Sequence, residues 1–446
     1  MGQNNGGARV CALKTLYKIE YEGAFSNIAL KETLHGSTLS MPDRGLVTTL
    51  VYGCVRYRRY LDYVIAQFSS VKLKKLSPYV LLILRLGIYQ IMKLDRVPDR
   101  AAVDESVKLA AKYAYRAKGF VNALLRKAAA QKEHIRLPEK TTERLGVAYS
   151  YPDEIVSMWL CAYGEEFTEQ LLAAGNESAP ATVRVNTLKT DCAALMERLR
   201  GEGAEAQGTC IEDMLSFTGA EVAALDSYRE GLFIPQGIGS YLAGAALNPN
   251  PGDTALDLCA APGGKTTHLA QLMQNRGKVY AFDIHAHKLK LIEQNAARMG
   301  INIIETACAD ASVPMERFFG CADAVLADVP CSGLGIIRKK PDIKWSFDAD
   351  EQCALAELQY KILSAAAQYV KLGGTLVYST CTIAKAENQD VVERFLRENA
   401  AFAPDSLEPY LPKELQKPTA KEGYIQFFPN TDGIDGFFLC RMKRKG

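Results

Sequence analysis

Apolar residues in the first third of the chain recur at helical spacing. Val10, Leu13, Leu16, Tyr17 and Ile19 mark one stretch, and Leu46, Leu50, Val51, Cys54 and Val55 mark another. Residues 78–94 are apolar nearly all round, the pattern of a central buried helix. Val97-Pro98 breaks the chain, residues 101–114 start a new helix, Gly119 interrupts, and residues 121–130 follow. Five or more helices with short breaks predict an all-α domain over residues 1–135. Residues 136–180 read as a helical connector, with short helices around Tyr151-Pro152-Asp153-Glu154 and Trp159. The period then changes. Residues 181–186 and 232–234 read as strands and 192–201 as a helix, a small α/β subdomain over residues 181–235. From residue 250, strands at 256–258, 278–282, 303–307, 324–327 and 375–378 alternate with helices at 267–274, 287–299, 350–370 and 387–398. That alternation predicts a parallel sheet with helices on both faces, a Rossmann-like α/β domain over residues 236–446. No internal repeat or low-complexity tract interrupts it.

Composition narrows the class. A chain of 446 residues holds two to three domains, and 48% hydrophobic with 23% charged residues is ordinary for a globular protein. No apolar run reaches the roughly 20 residues of a membrane helix; residues 80–84 are stopped by Arg85. The start, Met-Gly-Gln-Asn-Asn-Gly-Gly, has no apolar signal region, and Gly6 stands where a myristoylation site wants Ser or Thr. The twelve cysteines contain no C-x-x-C, so neither a zinc site nor a disulfide scaffold is expected. The reading is a cytoplasmic protein with reduced thiols, most of them small buried apolar residues. No membrane partner and no metal are expected.

The net charge of +2 hides an asymmetry. Residues 1–140 carry 24 Lys and Arg against 11 Asp and Glu, whereas the remainder carries 29 against 40. A basic segment joined to an acidic one points the first towards a polyanion, here nucleic acid. Arg56, Arg58 and Arg59 cluster with Tyr52, Tyr57 and Tyr60, and Lys72, Lys74 and Lys75 follow. Such a mix pairs phosphates and stacks bases, or else it is a solvated helix face with tyrosines half in the core.

The chemistry gathers at Leu256-Asp257-Leu258-Cys259-Ala260-Ala261-Pro262-Gly263-Gly264-Lys265-Thr266-Thr267. A short apolar run precedes the glycines and a helix follows them, the ligand end of a doubly wound sheet. The turn lacks the G-x-G-x-x-G of a dinucleotide site, and a P-loop would need its first glycine at Cys259. An S-adenosylmethionine (AdoMet) site remains. Three acids end the following strands. Asp283 stands where a carboxylate accepts from ribose hydroxyls, Asp310 where a side chain reaches the adenine amino group, and Asp328 ends the third strand. Singly, each is as well explained as a turn or N-cap residue.

The string from Cys259 to Thr266 strongly resembles the AdoMet loop of the RNA cytosine-C5 methyltransferases. Residues 94–110 with 119–126 resemble a NusB-type RNA-binding domain. Arg184-Val185-Asn186-Thr187 resembles the small RRM-like subdomain that precedes the catalytic domain in that methyltransferase family. The resemblance implies cofactor contacts from Cys259, Ala260, Ala261, Pro262, Gly263, Gly264, Lys265, Asp283, Asp310 and Asp328. It also implies chemistry by Cys381, Cys331, Asp328 and Lys265. Cytosine C5 is too electron-poor to attack AdoMet until a thiolate adds to C6. DNA cytosine-C5 methyltransferases use a Pro-Cys thiol, which would be Cys331. The RNA family uses the Thr-Cys thiol, which is Cys381 in Ser379-Thr380-Cys381-Thr382, with the Pro-Cys thiol assisting product release. Asp328 is then the group at cytosine N3. Lys265 either orients that machinery or meets the AdoMet carboxylate. Arg338, Lys339 and Lys340 would hold RNA phosphates, and Trp345 packs either that loop or the core. Taken together, the pattern resembles the bacterial 16S ribosomal RNA cytosine-C5 methyltransferase family with a NusB-like N-terminus. It implies a monomer acting on 16S ribosomal RNA, free or in early assembly. A transfer RNA or large-subunit target stays open, as does a non-enzymatic RNA-binding or antitermination factor with a relic AdoMet fold.

Overall fold

The computed structural model describes residues 7–35 and 37–445; the Met-Gly start and Gly6 lie outside them. The chain divides into two units, one running to Glu177 and including Ile337–Ser346, the other Ser178–Ile336 with Phe347–Gly446.

The first unit is helical: α1 Ala8–Glu22, α2 Ser26–His35, α3 Met41–Arg56, α4 Arg58–Phe68, α5 Pro78–Lys93, α6 Asp99–Tyr113, α7 Lys118–Ala130, α8 Thr141–Ala148, α9 Asp153–Tyr163 and α10 Glu165–Ala174. Pro78 opens α5, where a missing N–H costs nothing. From Leu82 through Ile91 every residue of α5 is buried, as its all-round apolarity predicts. Helices α3 and α5 cross at Gly53, where a Cβ would fall 1.9 Å from the Tyr89 ring, so any larger residue would have to displace that ring. The buried Arg85 donates to both Asp62 oxygens, at 2.7 and 2.8 Å, and lies 3.2 Å from Glu20.

The arginine cluster is engaged inside this unit. Arg56 donates to the Arg338 carbonyl at 2.9 Å. Arg58 pairs with Glu20 at 3.5 Å and stands 4.4 Å over the Trp345 ring. Arg59 pairs with Asp153 at 2.8 Å and donates to the Tyr151 carbonyl. Tyr52, Tyr57 and Tyr60 pack half-buried against the core. Lys72, Lys74 and Lys75, by contrast, stay exposed around the turn Leu73–Lys75. Segment Ile337–Ser346 is seated in the same helical unit. Trp345 packs on its core and donates to the Val55 carbonyl at 2.7 Å. Arg338 is buried, which differs from its expected place on RNA phosphate, while Lys339 and Lys340 are exposed.

The second unit holds two sheets. Strands β1 Ala181–Val185, β2 Glu205–Gly208, β3 Met214–Thr218 and β4 Phe233–Pro235 form an antiparallel sheet in the order β2-β3-β1-β4, with α11 Cys192–Gly201 and the short α12 Asp226–Arg229. Next come α13 Ile238–Leu247, β5 Thr254–Asp257, α14 Gly264–Leu272, β6 Lys278–Asp283, α15 Ala286–Met299, β7 Ile304–Cys308 and β8 Ala322–Asp328. After α16 Ile343–Ser346, in the helical unit, follow α17 Ala349–Tyr369, β9 Val370–Thr380, α18 Gln389–Glu398, β10 Phe402–Pro404, β11 Tyr424–Phe427, α19 Pro429–Asp432 and β12 Phe437–Arg444. The large sheet runs β10-β12-β9-β8-β5-β6-β7, with β11 on β12. Strands β9, β8, β5, β6 and β7 are parallel, as the alternation predicts, but β12 is antiparallel to β9 and carries β10 and β11. The sheet is therefore mixed. Between β11 and β12 lies only the four-residue α19, too short for a parallel crossover, so the chain returns antiparallel.

The cysteines differ from expectation. Only Cys54 and Cys440 are buried; Cys161, Cys210, Cys308, Cys321 and Cys353 are exposed, and none of the twelve is in a disulfide. Cys161 and Cys353 fall on the outer faces of α9 and α17, Cys308 ends the edge strand β7, and Cys210 and Cys321 lie in turns. Among the described residues no helix is long and apolar enough to cross a membrane.

Candidate active site

Strand β5 ends on Asp257, and the chain turns through residues 258–263 into α14. The turn is fixed by its own backbone: Ala260 N–H donates to the Phe282 carbonyl, and Gly263 N–H to the Ala260 carbonyl, both at 2.7 Å. Gly263 has φ +99°, and its Cβ would lie 3.0 Å from the Ile292 Cα, so glycine is required twice over. At Gly264 a Cβ would meet nothing within 4 Å; open space lies in front of the first turn of α14. The N–H groups at such a helix start favour a carboxylate.

The strand-end acids fall around this turn. Asp283 accepts from the Ala261 N–H at 3.3 Å and the His285 N–H at 2.8 Å. Asp310 is exposed and accepts from the Ser312 hydroxyl and N–H, at 2.7 and 2.9 Å, which hold its carboxyl below the usual range. Asp328 accepts from Lys265 Nζ at 2.6 Å and from the Ser379 hydroxyl at 2.7 Å. Burial works against the Lys265 ammonium, but Asp328 more than offsets it and the pKa is raised. Lys265 also donates to the Ser240 hydroxyl at 3.2 Å.

The two sequence-predicted cysteines come together. Cys331 lies beyond β8 and Cys381 beyond β9, neighbouring parallel strands, and their sulfurs are 3.3 Å apart. The hydrogen bond to Cys381, then burial, then the charges of Cys381 and Glu387 push the Cys331 thiol well above its ordinary value. The two sulfurs share one hydrogen bond, in which either can be the donor. A thiolate is the nucleophilic form.

Several residues around this centre are not among those the sequence reading assigned to the site. Asp257 is 1% exposed; Thr266 donates to its Oδ2 at 2.8 Å, Oδ1 has no partner within hydrogen-bond distance, and burial raises its pKa to about 7. Arg184, fully buried in β1, donates to Gln236 Oε1 at 2.6 Å, to Thr267 Oγ1 at 2.9 Å, to the Gly264 carbonyl at 3.2 Å and to Gln271. It braces the first turns of α14. Glu387 and Asn388, both fully buried, bond the two cysteine-bearing turns. The open space before Gly264 and the spare oxygen of Asp257 fit a small polar cofactor at this turn.

Comparison with known proteins gives the family. The description "16S rRNA methyltransferase RsmB/F" matches residues 244–443, the NusB family matches residues 7–130, and the "Methyltr_RsmF/B-like, ferredoxin-like domain" matches residues 151–221. The probable ribosomal RNA small subunit methyltransferase B of Bacillus subtilis (strain 168) is 40% identical over 445 residues, 98% of this chain and 99% of that protein. The chain belongs to the ribosomal RNA small subunit methyltransferase B family. The protein of the same description from Synechocystis (strain PCC 6803) is 35% identical, over 98% of this chain and 99% of that one. The crystal structure of PH0851 is similar at TM-score 0.82 and 27% identity, over 99% of this chain and 100% of that one. As a member of the methyltransferase B family the chain is a methyltransferase enzyme. Its all-α start is NusB-like, its small subdomain ferredoxin-like, and its last domain the methyltransferase domain. The methyltransferase family implies AdoMet as methyl donor.

Proposed function

We propose that the chain methylates C5 of a cytosine in 16S ribosomal RNA through a covalent bond between the Cys381 sulfur and C6. The observation that carries this reading is the 3.3 Å approach of Cys331 and Cys381 beside the Lys265–Asp328 pair. When bound at residues 259–265, Asp283, Asp310 and Asp328, AdoMet supplies the methyl group that C5 receives. The protein's own residues do the rest. Cys381 adds its electron pair to C6, which makes C5 electron-rich and drives negative charge towards N3. Asp328 meets that charge as a proton donor: its carboxyl proton passes to N3, the Lys265 ammonium stabilises the carboxylate that is left, and the proton returns when the C6–S bond breaks. Once C5 has lost its proton to a base, the C6–S bond breaks and its electrons return to Cys381. The Cys331 S–H, 3.3 Å from that sulfur, donates to the departing thiolate and stabilises it. A stacked base cannot reach these groups, so the target cytosine is flipped out.

The test is transfer of tritiated methyl groups to unmodified transcripts of small-subunit RNA, large-subunit RNA and transfer RNA, followed by mapping of the modified base. The reading expects 5-methylcytosine at one position of the small-subunit transcript. Labelling of another transcript instead would move the target, and no labelling with any RNA would return the chain to the class of RNA-binding factors.

A further inference from the structure

The Cys331 and Cys381 turns are separated by 50 residues, yet two adjacent buried side chains grip one turn each. Glu387 accepts from the Ser332 N–H at 2.9 Å and from the Ser332 hydroxyl. Gln352 and Gln359 add donors at 3.1 and 2.9 Å, and Gln359 also donates to the Pro330 carbonyl at 2.9 Å. Four donors converge on this side chain, the set that a carboxylate, which only accepts, calls for. Ser332, held directly, and Pro330, held through Gln359, flank Cys331 on both sides. Asn388 takes the other turn. Its Oδ1 accepts from the Thr380 hydroxyl at 2.6 Å, and its Nδ2 donates to the Thr382 carbonyl at 3.1 Å and to Gln426 Oε1 at 2.7 Å. Thr380 and Thr382 flank Cys381. One contact joins the two grips: the Ser332 and Thr382 hydroxyls are 2.8 Å apart.

We propose that Glu387 and Asn388 form a two-sided clamp that sets the cysteine pair, with Glu387 a positioning residue for product release through Cys331 and Asn388 a positioning residue for attack through Cys381. The inference rests on the proposed function of the pair. Each side chain acts on the residues that flank one thiol, not on the sulfur itself, so neither is catalytic. Because each grip holds its own turn and a single hydroxyl contact links them, loss of one should act mainly on its own half of the reaction. A purely structural role would instead weaken both halves together.

The experiment compares Glu387→Ala, Glu387→Gln and Asn388→Ala with Cys331→Ala in the full chain, using tritiated AdoMet and an unmodified small-subunit RNA transcript. Single-turnover methylation, multiple turnover and covalent protein–RNA adduct on denaturing gels are read for each. Glu387→Ala should methylate in a single turnover at close to the native rate, then accumulate adduct while multiple turnover falls by roughly 100-fold, the effect of a misplaced reacting group. Glu387→Gln retains an acceptor and should lie between that variant and the native protein. Asn388→Ala should slow the single turnover by a similar factor and accumulate no adduct. AdoMet affinity by calorimetry, unchanged in each variant, certifies a folded cofactor site. The proposal is overturned if Glu387→Ala releases product like the native protein, or if both clamp variants lose attack and release in parallel. A variant that loses AdoMet binding is replaced in this comparison by Glu387→Gln or Asn388→Asp, which are judged by the same two readouts. If Cys331→Ala itself accumulates no adduct, the reading of the cysteine pair fails instead of the clamp.

Discussion

Two buried charged groups, one in each unit, are treated in opposite ways. In the helical unit, Lys344 is fully buried and its ammonium meets the Asn176 side-chain oxygen at 2.6 Å and the Arg56 and Ser150 carbonyls at 3.2 Å, with the Tyr151 ring 3.7 Å away. Each of these acceptors lies within reach of Nζ, and burial together with the Arg56 charge pushes the Lys344 pKa well below its ordinary value. Beneath the glycine turn of the other unit, Asp257 is nearly as deeply buried but keeps one oxygen without a partner in hydrogen-bond distance. In the wider regions the arginines of residues 56–59 make internal contacts, with Arg56 Nε left without a partner in hydrogen-bond distance, whereas the strand ends of the large sheet collect thiols and carboxylates around the glycine turn. A satisfied buried charge holds a fold together. An unsatisfied one costs stability and is kept where a ligand or a reaction completes it.

The largest effect that sharpens this contrast is chemical. Cys381→Ala should abolish methylation while leaving thermal stability nearly unchanged, because the sulfur that adds to C6 is gone. Cys331→Ala should form the bond to C6 and stall, giving an adduct that survives denaturing electrophoresis; the double variant should give none. The reverse pattern, adduct with Cys381→Ala and none with Cys331→Ala, would make Cys331 the nucleophile.

The second effect is on stability. Lys344→Met should destabilise the helical unit by about 3–5 kcal/mol, since it leaves three buried acceptors without a donor. AdoMet affinity should not follow. Denaturant melts of the full chain, with calorimetric AdoMet binding alongside, would read both. A variant as stable as the native protein would mean that water replaces the ammonium and the matching is incidental.

One of these regions is far more readable in the sequence than the other. The glycine turn and both cysteines lie in short contiguous strings, so their pattern is written in neighbouring letters. The helical period of residues 78–94 and the five parallel strands are equally plain, because burial on one face or on both leaves a pattern. Asp257, Arg184, Glu387 and Asn388 are not legible as a site, because each acts through partners brought near only by folding. Strand β2 escapes for a different reason. Its Glu-Ala-Gln-Gly sequence has no apolar face, and its backbone ladder to β3 is what holds it. The arginines at 56–59 mislead in the opposite direction: clustered charge in sequence says nothing about whether acids and carbonyls already surround it.

Asp257 gives the smallest and most selective test. Burial raises its pKa from the ordinary carboxyl value to about 7, helped by the Asp328 charge and opposed by the Thr266 hydrogen bond, the Lys265 charge and the Cys259 N–H. A carboxyl whose pKa is raised on folding binds its proton more tightly in the native state than in the unfolded chain. Its contribution to stability is therefore fully present below the unfolded pKa, near ~4, and is lost as pH rises towards the folded value. Asp257→Asn removes this dependence while keeping an oxygen for Thr266. The variant should gain on the native protein as pH rises from about 4 to 7, by roughly 2 kcal/mol once relaxation around the buried charge is allowed for. At the low end the two should melt alike. Parallel melting curves across that range would mean that Asp257 is solvated or paired in solution, and the contrast with Lys344 would then fail.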